Sequence, residues 1–77
     1  MPSDEELMIA ASEGDMEAFE ELVRRHSDRA YRVALTFLGD EQKAEDLAQE
    51  AFLKILEAAD SYRPTASFTT YLYRVVA

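Results

Sequence analysis

Residues 40–60 read DEQKAEDLAQEAFLKILEAAD, a stretch with the pattern of one helix that has two different faces. Ala44, Leu47, Ala48, Ala51, Phe52, Ile55, Leu56 and Ala59 recur at three- and four-residue steps. That spacing makes an apolar stripe, which has to face a core. At about 100° per residue, Asp46, Gln49, Glu50, Leu53, Glu57 and Asp60 gather on the opposite side. Leu53 is therefore expected to point outward, ringed by acids and an amide. A single exposed leucine is ordinary. Set in an acidic helical stripe, it has the layout of an apolar anchor with a charged rim, suited to a basic partner. A solvated acidic face with a chance leucine accounts for the same pattern, and periodicity does not separate the two.

Working outward, Gly39-Asp40 precedes this helix and repeats the Gly14-Asp15 pair upstream. In each pair the glycine suits a helix end and the aspartate caps the next helix. Between the pairs lies a long second helix. Its expected buried stripe is Met16, Phe19, Leu22, Val23, Ala30, Val33, Ala34 and Phe37. Arg25, Arg29 and Arg32 are expected on its outward face, where arginines can meet phosphates but more often pair with acids of the same or a neighbouring helix. His26, the only histidine, falls on the apolar stripe and reads as a packed, hydrogen-bonded core residue. Ser3-Asp4-Glu5-Glu6 has the form of a capping box opening a short first helix, with Leu7, Met8, Ala10 and Ala11 on its inner side.

Downstream, Pro64 with Thr65 and Ser67 breaks the chain. Ser67 is placed to cap a fourth helix whose inner face is Phe68, Tyr71, Leu72 and Val75. The sequence stops at Val75-Val76-Ala77 without a capping residue, glycine or polar tail, so this helix is expected to be truncated. The expected fold is all-α: one compact domain, a bundle of four helices, over residues 1–77.

Composition narrows the function. The 77 residues contain no cysteine, which removes disulfides, thiol chemistry and cysteine-based metal sites. No apolar run approaches the roughly eighteen residues of a membrane span. The first residues lack the pattern of a secretory signal, so a cytoplasmic protein without a membrane partner is expected. With one histidine, no glycine-rich phosphate loop and no metalloprotease spacing, neither an enzyme nor a cofactor or metal is expected. An acyl carrier reading needs an Asp-Ser-Leu at a helix start; here Asp60-Ser61-Tyr62 closes a helix and tyrosine replaces leucine. The net charge of −8 opposes duplex DNA binding by the chain as a whole. Yet from Tyr62 to Ala77 there is no acid, only Arg63 and Arg74 as charges. Tyr62, Phe68, Tyr71 and Tyr73 lie in that segment among Thr65, Ser67, Thr69 and Thr70. Rings, hydroxyls and arginines together suit single-stranded nucleic acid. Aromatics filling a small core are the competing reading.

Three motifs in order carry a resemblance: Phe19-Glu20-Glu21-Leu22, then residues 44–53, AEDLAQEAFL, then residues 68–75, FTTYLYRV. The sequence resembles region 2 of bacterial RNA polymerase sigma factors, specifically the extracytoplasmic-function class, over nearly its whole length. The resemblance implies a helical domain that docks on the clamp helices of the polymerase β′ subunit through Asp46, Gln49 and Glu50, with Leu53 beside them. It further implies capture of an unstacked non-template base of the promoter minus-ten element by the segment from Tyr62 to Arg74. The residues concerned are Tyr62, Arg63, Thr65, Ser67, Thr69, Thr70, Tyr71 and Arg74. An anti-sigma factor is an implied further partner. Tyr71 stands where the family usually has tryptophan, and Arg63-Pro64-Thr65-Ala66 replaces a glycine-containing loop, departures that bear on base preference. The basic remainder of the fourth helix and the family's helix-turn-helix domain have no counterpart in these residues. A helical protein-interaction adaptor without DNA contact is the alternative reading.

Overall fold

Capping residues set the limits of each element. In the computed structural model, which describes residues 1–63 and 66–77, α1 runs Asp4–Ser12. The Ser3 hydroxyl accepts from the Glu6 N–H at 3.1 Å, and the Ser3 N–H donates to the Glu6 carboxylate at 3.0 Å, completing the expected capping box. The α2 helix, Met16–Leu38, starts where Asp15 accepts from the Ala18 N–H at 3.2 Å. It stops at Gly39, whose φ of +67° is the left-handed conformation that a side chain disfavours. Asp40 accepts from the Lys43 N–H at 2.9 Å to open α3, Glu41–Glu57.

The expected helix over residues 40–60 is corrected at its far end. It stops at Glu57, and Ala59–Ser61 tightens into a 3-10 turn. Ala59 keeps its place in the core within that turn. Ser67 then accepts from the Thr70 N–H at 3.2 Å and begins α4, Phe68–Val76. Four α-helices and no strand occur among the described residues. Pro64 and Thr65, on which the expected chain break rests, lie outside the described residues.

The bundle is organised on α2, which packs against α1, α3 and α4; α4 also lies against α3. At about 1.5 Å per residue its 23 residues account for the longest dimension of the domain, 35 Å against 23 Å in the other two directions. Met8, Leu22, Ile55, Phe68 and Leu72 are the largest fully buried side chains, drawn from all four helices. Six residues of the expected 40–60 stripe are buried, Leu47 and Leu56 are half-buried, and the outward set is exposed throughout.

Two expected core residues of α2 are corrected. Met16 and Phe37 are exposed. They lie on the right face, at the ends of a helix longer than the helices packed against it. On α4 Phe68 and Leu72 are buried as expected and Tyr71 and Val75 are half-buried, while Val76, absent from the expected inner face, is buried. Arg25 is not an outward residue. It is drawn in by Glu21 at 3.0 Å on its own helix and by Asp4 at 3.2 Å on α1.

Candidate functional site

The outer face of α3 is the first candidate surface. Asp46, Gln49, Glu50 and Leu53 are all exposed along it, Leu53 at 59 %. Exposing this leucine follows from the same 3.6-residue repeat that buries Phe52 and Ile55. The stripe is not purely acidic. Lys54 sits 3.8 Å from Glu50, and Gln42 donates to Asp46 at 3.2 Å. Both contacts are one helical turn apart and open to water, so a partner can displace them at small cost. Beside Gln49 the face continues onto α2 as a shallow groove lined by Ser27, Asp28, Tyr31, Glu45 and Ala48. Burial, and then the charges of Glu41 and Glu45, push the Tyr31 phenol above its ordinary value, so it stays a neutral hydrogen-bond donor. Periodicity shows that Asp28 and Tyr31 flank the α2 stripe. It does not show which flank meets α3, and sequence reading missed them for that reason.

The second candidate surface surrounds the start of α4. Here the residues expected to act together separate into different environments. Tyr62 and Tyr71 come together edge to face with ring centroids 5.2 Å apart, and both are half-buried. Phe68 is wholly interior, packing on Tyr71 and on the His26 ring at 6.1 and 5.0 Å. Burial is the main influence raising the Tyr62 phenol, with the negative charge of Glu5 next. Ser67 is engaged as the helix cap, and its hydroxyl also lies 3.0 Å from that of Thr70. Thr69 turns toward α2, where it lines a cavity with Arg29, Val33 and Leu72. Arg63, Thr70 and Arg74 are exposed. Thr65 lies outside the described residues. The aromatic ring most open to solvent on α4 is Tyr73, which meets exposed Phe37 of α2 at 6.4 Å.

A polar cluster joins α1, α2 and α4 beneath this surface. The Arg25 guanidinium donates to the Pro2 carbonyl at 2.9 Å as well as to Asp4 and Glu21. His26 is buried as expected, with Nε2 2.9 Å from the other Asp4 oxygen. That approach is off-line, and neither ring nitrogen has a well-aligned hydrogen bond among the described residues. Burial acts to raise the Asp4 carboxyl, but the contacts with His26 and Arg25 together outweigh it and hold the group below its ordinary value. Glu5, one residue on, accepts from the Phe68 N–H at 2.9 Å.

Residues 22–77 match the family described as Sigma-70 region 2. The chain belongs to the sigma-70 region 2 family. The match takes in most of α2 and all of α3 and α4, so it contains both candidate surfaces, and it leaves α1 outside. The chain is 39% identical over 79 residues to the ECF RNA polymerase sigma factor SigE of Mycolicibacterium smegmatis, an alignment covering 96% of this chain and 30% of that protein. It is 36% identical over 72 residues to the RNA polymerase sigma-H factor of Pseudomonas aeruginosa, covering 94% and 37%. With the ECF RNA polymerase sigma factor SigW of Bacillus subtilis it shares 39% over 62 residues, covering 80% and 33%. The chain spans about a third of the length of these relatives. The matched family covers these helices and not a whole sigma factor. Among the described residues, no helix is long and apolar enough to cross a membrane.

Proposed function

We propose that this region 2 domain acts in transcription initiation, docking on RNA polymerase core through the outer face of α3 and reading single-stranded promoter DNA through the segment from Tyr62 to Arg74. The carrying observation is Leu53, an exposed leucine on the same face as Asp46, Gln49 and Glu50 in the stretch where the family motif lies. Asp46, Gln49, Glu50 and Leu53 meet the β′ clamp helices, and the groove by Asp28 and Tyr31 enlarges that face. An exposed apolar anchor with a charged rim is the arrangement that gives both affinity and register. On the DNA side, Arg63 and Arg74 supply charge, and Thr65, Ser67, Thr69 and Thr70 supply hydroxyls. Tyr62 and Tyr71 form the wall against which a minus-ten base of the non-template strand stacks. This places the protein in the cytoplasm, with an anti-sigma factor as a further partner for the same surfaces.

Docking is tested by measuring affinity for polymerase core. Leu53→Ala and Glu50→Lys are each expected to weaken binding by about 1–3 kcal/mol, as truncating an interface anchor does. Circular dichroism of both variants is expected to match the parent. Full-strength binding by both would remove α3 from the interface. A helical adaptor that binds protein alone is the second reading. It is favoured by the packing of Tyr62 and Tyr71 on each other and by the use of Ser67 as a cap, and the DNA measurement in the Discussion separates the two.

A further inference from the structure

We infer that Glu5, on α1, is a positioning residue for base reading: its carboxylate fixes the start of α4. This rests on the proposed reading of the Tyr62 to Arg74 segment. Glu5 accepts from the Phe68 N–H at 2.9 Å, a hydrogen bond that spans 63 positions of sequence. Phe68 is the first residue of α4, and its N–H is one of the four that a helix start leaves without an intrahelical partner. The local cap does not serve it, because the Ser67 side chain accepts from Thr70. The α4 start is thus held twice, once by its neighbour and once by α1. A carboxylate there also meets the positive end of the helix dipole.

The anchor is rigid because its own base is clamped. Asp4, beside Glu5, is bound to Arg25 at 3.2 Å and lies 2.9 Å from His26, and Arg25 also grips the Pro2 carbonyl. His26 packs its ring on that of Phe68, with centroids 5.0 Å apart. The 3-10 turn Ala59–Ser61 also packs on α1. Both ends of the segment between that turn and α4 therefore bear on the first helix. Ser67, Thr69, Thr70 and Tyr71 flank the anchored Phe68, so a shift of its backbone moves the hydroxyls and the ring that the start of α4 offers to a base. Positioning at the ångström scale is what edge contacts to a base demand.

The test uses the 77-residue chain with Glu5→Ala and Glu5→Gln. Glutamine keeps an oxygen able to accept from Phe68, whereas alanine has none. Three quantities are measured: hydrogen exchange of the Phe68 amide, affinity for polymerase core, and the preference of the core complex for matched over scrambled single strands. Glu5→Ala is expected to speed Phe68 exchange and to lower the strand preference by about tenfold each, the worth of one charge-assisted hydrogen bond. Core affinity is expected to stay at the parental value, and Glu5→Gln is expected to recover most of both losses. A general loss of packing would lower core affinity too and would not be rescued by glutamine. Unchanged Phe68 protection in Glu5→Ala overturns the anchor. Lost protection with intact strand preference overturns its role in reading. A parent chain with no strand preference overturns the base-reading proposal and the role built on it, while the Phe68 amide still reports the anchor separately.

Discussion

Asp4 ties the first helix to the second through two different side chains. Its carboxylate reaches Arg25 at 3.2 Å and His26 at 2.9 Å, and its acidity is shifted downward as a result. A folded-state value below the ordinary 3.8 means that the stability Asp4 contributes is fully present above that unfolded value. It is lost as pH falls through the lower folded value. Glu6, held by the Ser3 N–H, and Glu21, held by Arg25, are shifted in the same direction and lose their contributions as pH falls through their own folded values. Asp4→Asn is expected to cost about 1–2 kcal/mol at neutral pH, a charge-assisted contact discounted for its partial exposure. As pH falls through the folded value the difference between the variant and the parent is expected to shrink toward zero, because protonation then removes the carboxylate from the parent. Urea unfolding at neutral pH and along a descending acid series measures this. A difference that persists undiminished in acid would mean that Asp4 acts by packing and not by charge. Of this arrangement, the capping role of Ser3 and Glu6 was legible in four consecutive residues. The Asp4–Arg25–His26 contacts were not, because no local pattern states which acid of one helix meets which base of another.

At the scale of elements, α3 offers the sharpest test because two neighbouring residues have opposite fates. Phe52 is 7 % exposed and Leu53 is 59 % exposed. Phe52→Ala is expected to cost about 3–5 kcal/mol, which approaches the whole stability of a small domain. Leu53→Ala is expected to change stability by no more than about 0.5 kcal/mol. Thermal or urea unfolding of the pair checks the assignment of faces, and equal effects would refute it. The α2 helix shows where periodicity stops informing. Its stripe correctly ranks Phe19, Leu22, Ala30 and Ala34 as interior. Met16 and Phe37 continue the same stripe yet stay exposed, since a repeat identifies a face and not how far the opposing helix extends along it. The end of α3 teaches the same lesson. Apolar spacing runs through to Ala59, but the backbone leaves the helix after Glu57 and reaches that position through a 3-10 turn.

Over the whole molecule, all 16 acids lie within residues 1–60, while the only charged residues from Tyr62 onward are Arg63 and Arg74, which leaves the chain at −8. The isolated domain is expected to show no measurable affinity for duplex DNA at physiological salt, because phosphate attraction dominates such binding. Docking on a basic polymerase surface would offset the acidic field. The core complex is then expected to prefer single-stranded DNA bearing its minus-ten sequence over a scrambled strand, with about 1–3 kcal/mol for each stacked base. Fluorescence anisotropy with matched and scrambled strands, with and without core, measures both effects. Equal affinity for the two strands in the presence of core would favour the protein-only adaptor. Helix number, the capping residues, the buried and exposed faces of α3 and the all-α class were readable from residues alone, because caps and the 3.6-residue repeat act within one or two turns of chain. The family was readable too, since its motifs are contiguous. The fold was needed to seat Tyr62 against Tyr71, to turn Thr69 toward α2 and to bring Glu5 to the Phe68 amide. These are encounters between segments distant in sequence, set by how helices of unequal length pack on α2, and a one-dimensional pattern holds no term for that packing.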